Sequence, residues 1–127
     1  MIITNREMQG KVQVLQTITQ RKLPIKISYA IAKNINSINK ELKIFEDEKM
    51  KIISDYTLKD KQGDIKVEND KYVFIKDKED ECNEKYNELL NIEVELNLRA
   101  ININDLLNSN VDFTPGELIE LDFMIME

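Results

Sequence analysis

The stretch KLPIKISYAIAKNINSINKEL, residues 22–42, carries two readings in one segment. PIKIS alternates apolar and polar residues as a short edge strand does, and the residues after it have the spacing of a helix. Pro24 biases Leu23 away from helical angles and so closes whatever precedes it. From Ile31 onward, Ile35, Ile38, Leu42, Phe45, Ile52 and Tyr56 fall at alternating steps of four and three, with Lys49 the one break. That is an a/d seam. Roughly 28 helical residues would span about 40 Å. Such a helix is expected either to fold back within the chain, closed by a second helix near 77–91, or to meet a second copy along its seam.

The flanking segments are read from this helix outward. Upstream, TNRE at 4–7 is a capping box, with Thr4 as cap and Glu7 reaching back. Met8, Val12, Leu15 and Ile18 come next at helical spacing, which predicts a first helix over about 5–20. Downstream, KDKQGD at 59–64 breaks the chain. DIKVENDKYVFIK then reads as a β-hairpin turning at Asn69-Asp70. That turn sets Val67 opposite Tyr72, Ile65 opposite Phe74 and Glu68 opposite Lys71. Residues 77–91 have a helix pattern with an acidic first turn, which suits the helix dipole. Cys82, Tyr86, Leu89 and Leu90 form its apolar stripe. Ile92, Val94, Leu96 and Leu98 then alternate as a half-buried strand, and the parity breaks at Arg99–Ala100, where a bulge is expected. In FTPGELIELDFMIME, Thr114 is an N-cap, Pro115 stands at the first helical position and Glu117 completes a capping box. Phe113 and Leu118 stand at hydrophobic-staple positions. This last helix is apolar nearly all round and is expected in the core or at an interface.

The expected architecture is α+β, a single domain over 1–127. It has a long heptad-patterned helix packed with two or three others, and a β-hairpin plus one further strand forming a small antiparallel sheet, with MII and PIKI as possible extra edges. The 127 residues are 42% hydrophobic and 33% charged, a globular rather than a disordered composition. The net charge of −6 and pI near 4.8 argue against nonspecific nucleic-acid binding, which needs a dense basic face. No apolar run is long enough for a membrane span, and the first residues lack a signal-peptide layout. A cytoplasmic setting fits the single cysteine, Cys82.

Much catalytic chemistry is missing. The chain has no histidine, so it lacks the commonest general base, triad base and metal ligand. Cys82 has no imidazole to activate it, and it sits on an apolar stripe, as a small buried hydrophobe does. Three scattered glycines cannot form a phosphate loop. The acidic clusters FEDE (45–48) and KEDE (78–81) read as solvated helix faces. No enzyme, cofactor or metal site is expected.

Binding remains. Lys26, Tyr29 and Lys33 surround the PIKIS switch, where Ser28 is a potential cap. A helix N-terminus with lysines and an aromatic ring suits a phosphate-bearing ligand. Arg99, one of three arginines, stands at the expected bulge. The structural alternative is that Ser28 caps, Tyr29 packs and the lysines are solvated.

Taken in order, LPIKISYAIAKNI, the long charged helix, YNELLNIEVELNL and FTPGELIELDFMI resemble a family of small uncharacterised proteins. That family is encoded by tailed phages and prophages of Gram-positive bacteria. The resemblance spans about 15–126 and is weakest over 57–80. It implies a phage source and host bacterial cytoplasm, and transfers no site residue. It leads to two expected functions. The first is non-enzymatic counter-defence by stoichiometric binding, either inhibiting a host effector such as a CRISPR nuclease or sequestering a nucleotide immune signal. The alternative is a virion-assembly or tail accessory protein. Lys26, Tyr29, Lys33 and Arg99 are the candidate ligand- or partner-binding residues. Homo-oligomers through the long helix or the C-terminal helix are compatible with either function.

Overall fold

The computed structural model describes residues 1–126. The architecture is α+β, as expected, and the chain forms two compact units. One comprises Met1–Leu42 together with the chain from Glu93 onward, and the other is Lys43–Ile92. The long helix α2, Ile25–Tyr56, contributes residues to both. Among the described residues, no helix is long and apolar enough to cross a membrane.

In the first unit, strand β1 (Ile2–Thr4) pairs antiparallel with β4 (Glu93–Glu95), Ile3 standing opposite Val94. The expected MII edge is therefore real. Helix α1, Asn5–Ile18, starts at the Thr4 cap, whose hydroxyl oxygen accepts from the Glu7 amide at 3.2 Å. The return bond differs from a full capping box: the Thr4 hydroxyl donates to the Glu7 carboxylate at 3.0 Å. Met8, Val12, Leu15 and Ile18 are all buried, as their spacing predicts. They join Ile27, Ala30, Ile31 and Ile38 of α2 in one core with Leu96, Ile101, Leu106, Leu121 and Met124.

PIKIS is not a strand. Helix α2 begins at Ile25, directly after Pro24, whose carbonyl accepts from the Ile27 and Ser28 amides at 3.1 and 3.0 Å. Proline's fixed φ suits a helix start, and four alternating residues are too few to outweigh it. Ile25 is 85% exposed while Ile27 is 1% exposed, so the apparent alternation is the first turn of a helix with one buried face. Ser28 lies inside the helix and does not cap it; its hydroxyl donates to the Leu23 carbonyl at 3.3 Å.

After β4 the chain changes partner. Strand β5, Ile101–Asn102, pairs in parallel with β6, Ile125–Met126. The break in parity at Arg99–Ala100 is this switch between sheets rather than a bulge within one. Between them lie α4 (Ile103–Leu107), α5 (Pro115–Leu121) and a 3-10 turn, Asp122–Met124. This connection is long enough for the crossover that a parallel pair needs. The Thr114–Glu117 capping box forms as read, with the Thr114 amide donating to Glu117 at 2.9 Å. Only one face of α5 is core: Leu121 is buried and Ile119 is 70% exposed.

In the second unit, α2 from Lys43 packs against α3, Glu79–Leu90, through Phe45, Ile52, Tyr86, Leu89 and Leu90. The helical hairpin read from the seam is present there. Strands β2 (Val67–Glu68) and β3 (Lys71–Tyr72) pair in the expected register, Val67 with Tyr72 and Glu68 with Lys71. Ile65 and Phe74 do not pair with each other. The segment leaving α2 inserts between them: Thr57 bridges Phe74 and Lys59 bridges Ile65. Its Leu58 amide donates to Val73 and its carbonyl accepts from Lys66, both at 2.8 Å.

Candidate ligand-binding site

Lys26, Tyr29 and Lys33 are three and four residues apart on α2, the spacing that places side chains on one helix face. Because α2 starts earlier than Ser28, Ile25 and Lys26 form its first turn, where amides have no intrahelical acceptor. The face points to the strand-switching segment that carries Arg99. The Arg99 guanidinium carbon lies 4.9 Å from the Tyr29 ring centroid, and the Lys33 ammonium lies 5.6 Å from it. Two cations thus share one aromatic ring at cation–π distances.

Lys26, Tyr29 and Arg99 line one open cavity of about 490 Å³. Its apolar wall includes Ile27, Ala30 and Ile101, and Asn102 and Asp105 add polar groups at the start of α4. The volume falls within the ~300–1,000 Å³ typical of small-molecule sites. Lys33 stands beside the cavity at the Tyr29 ring and is not part of its wall. The structure therefore brings all four sequence-derived residues to one place, three as lining and one through the shared ring.

Sequence reading missed the residue that holds Arg99 there. Asn34 is 0% exposed on the buried face of α2. Its amide oxygen accepts from the Arg99 backbone N–H at 2.7 Å, and its amide nitrogen donates to the Arg99 carbonyl at 2.9 Å. The same nitrogen lies 2.8 Å from the Met124 sulfur. A side-chain amide paired in this way fixes a backbone position as a strand partner would. The signal was present: Ile27, Ile31, Asn34 and Ile38 share one helical stripe, and Asn34 is its only polar member.

The groups set aside on sequence grounds lie elsewhere. Cys82 is buried on α3, and burial, with a smaller contribution from Glu79, pushes its thiol pKa up, away from a reactive thiolate. The FEDE and KEDE acids lie exposed on α2 and α3, where Glu48 pairs with Lys51 and Glu81 with Lys78.

No protein-family model matches this chain, and no curated protein or solved structure is significantly similar to it.

Proposed function

We propose that this chain acts by stoichiometric binding, without catalysis, and that its cavity holds a small anionic ligand of the nucleotide class. The observation that carries this reading is the approach of Arg99 and Lys33 to the Tyr29 ring, where Tyr29 and Arg99 line a cavity together with Lys26. Cations supply phosphate recognition, and the guanidinium plane and aromatic ring offer stacking surfaces for a base. The absence of histidine and the buried, unactivated cysteine support a binding rather than a catalytic role.

With the resemblance to tailed-phage and prophage proteins, this becomes a counter-defence role in the host bacterial cytoplasm: sequestration of a nucleotide immune signal. Titration calorimetry against linear nucleoside phosphates, cyclic dinucleotides and larger cyclic oligonucleotides tests it. Binding to one class, lost in Tyr29→Ala and Arg99→Ala with the fold retained, is the expected result. No binding to any of them, or equal binding by both variants, sinks it. Native mass spectrometry of the purified protein supplies a second test, because a sequestering protein should retain ligand mass. Detection of the protein in purified virions would instead favour the virion-assembly alternative.

A further inference from the structure

Residues 101–126 hold a second concave surface in the first unit, separate from the cation-lined cavity. It lies between α4 and α5, has a volume of about 380 Å³, and is lined by Leu107, Val111, Phe113, Leu118, Ile125 and Asp122, among others. Leu107 is 73% exposed at its edge, and Ile119, also exposed, comes directly after Leu118 on α5. Large aliphatic side chains held in solvent around an apolar groove mark an interaction surface.

The charge around it leans acidic: Asp122 lines the groove, and Asp112 lies between two of its lining residues, Val111 and Phe113. Residues 101–126 contain Asp105, Asp112, Glu117, Glu120 and Asp122, and no lysine or arginine, Asp105 belonging to the wall of the cation-lined cavity. Arg21, from the turn after α1, is the cation beside the groove: it pairs with Glu117 at 2.6 Å, donates to the Asp112 carbonyl and lies 5.3 Å from the Phe113 ring. Among the described residues none of the other four acids forms an ion pair. An apolar groove with more acids than cations at its rim selects its partner by charge as well as by shape. We propose that this groove docks a basic amphipathic segment of a partner protein, with large apolar side chains seated between α4 and α5 and flanking Lys or Arg meeting Asp112 and Asp122. Helix-in-groove recognition of this kind needs a few apolar anchors at i, i+3, i+4 and i+7.

Fluorescence anisotropy with a labelled synthetic helix, Leu at those anchor positions and Lys elsewhere, tests the assignment on the full chain. The expected result is saturable binding that weakens with added salt. Leu107→Gln should weaken it about tenfold. Asp112→Asn with Asp122→Asn should weaken it and flatten the salt dependence. Leu107 is solvent-exposed, so its variant should melt like the parent by circular dichroism; if it does not, the charge variant decides. Equal binding of a control helix with Glu in place of Lys overturns the proposal, as does unchanged binding by both variants. Concentration-dependent self-association abolished by Leu107→Gln also overturns it, because a second copy would then be the occupant.

Discussion

At the scale of single residues, Asn34 carries more than any cation around the cavity. It is buried, and both of its polar ends are used on the backbone of Arg99. Asn34→Ala would leave a backbone donor and acceptor without partners and open a small void. The expected loss is about 2–4 kcal/mol, read as a lower urea midpoint at constant slope. Asn34→Asp should not rescue it, because a carboxylate cannot donate to the Arg99 carbonyl. If ligand binding falls further in Asn34→Ala than the stability loss explains, Arg99 placement is the cause. Glu117 offers a second test at this scale. The Arg21 side chain, chiefly, and the Thr114 backbone amide hold its carboxyl below the ordinary range. A carboxylate whose folded pKa is depressed adds stability that is fully present above its unfolded value, about 4.3, and lost as pH falls through the folded value. Denaturant titrations from pH 7 down to acid should therefore show a drop in the parent that is smaller in Glu117→Gln. Equal drops would mean that the Arg21 contact does not contribute. In the sequence, Asn34 was visible as the polar member of an apolar stripe. Its partner was not, because Arg99 lies 65 residues away along the chain.

At the scale of elements, local chemistry was readable and long-range pairing was not. Asn69 and Asp70 have φ of 52° and 62°, the left-handed pair that a two-residue type I′ turn requires. Asp70→Gly should relieve the second position and raise stability by about 0.5 kcal/mol, since glycine meets no steric penalty there and no bond from the Asp70 side chain is lost. A lowered melting temperature would mean that the entropy of the added glycine dominates. Thr114→Ala should cost about 1 kcal/mol by removing the α5 cap, measured by thermal or urea unfolding. These elements were legible because turns and caps are written in adjacent residues. The hairpin beyond Val67–Tyr72 was misread because Leu58, just past the end of α2, takes the Lys66 amide and the Val73 carbonyl, leaving only the bond from the Val73 amide to the Lys66 carbonyl between the two. PIKIS was misread because Ile25 and Ile27, two residues apart, mimic the strand period, whereas on the helix they fall on opposite sides, Ile25 exposed and Ile27 buried. The break at Arg99–Ala100 was correctly located, but its cause was hidden, because the new partner strand, Ile125–Met126, lies at the far end of the chain.

At the scale of the whole molecule, one helix serves two cores of unequal size. The core of the first unit draws on α1, the front of α2, β4, β5 and the C-terminal helices. The second is built on Phe45, Leu89 and Leu90, with Ile52 and Tyr86 partly buried around them. Small cores leave little margin, and regions with few buried apolar contacts open first. Phe45 is 1% exposed and its ring lies 6.2 Å from that of Tyr86, so Phe45→Ala removes the centre of the smaller core. The expected loss, about 3–5 kcal/mol, is comparable to all the stability a unit of that size would have. Hydrogen exchange of Phe45→Ala should show protection lost across 57–92 while α1 and the β1–β4 pair keep theirs. Leu15→Ala, in the larger core, should lower protection in α1, in β4 and in α2 before Leu42. Loss of protection everywhere in Phe45→Ala would show instead that the two cores unfold as one cooperative body. Retention at Tyr29, Lys33 and Arg99 in that variant would also leave ligand binding intact, separating the stability of the second unit from the chemistry of the first.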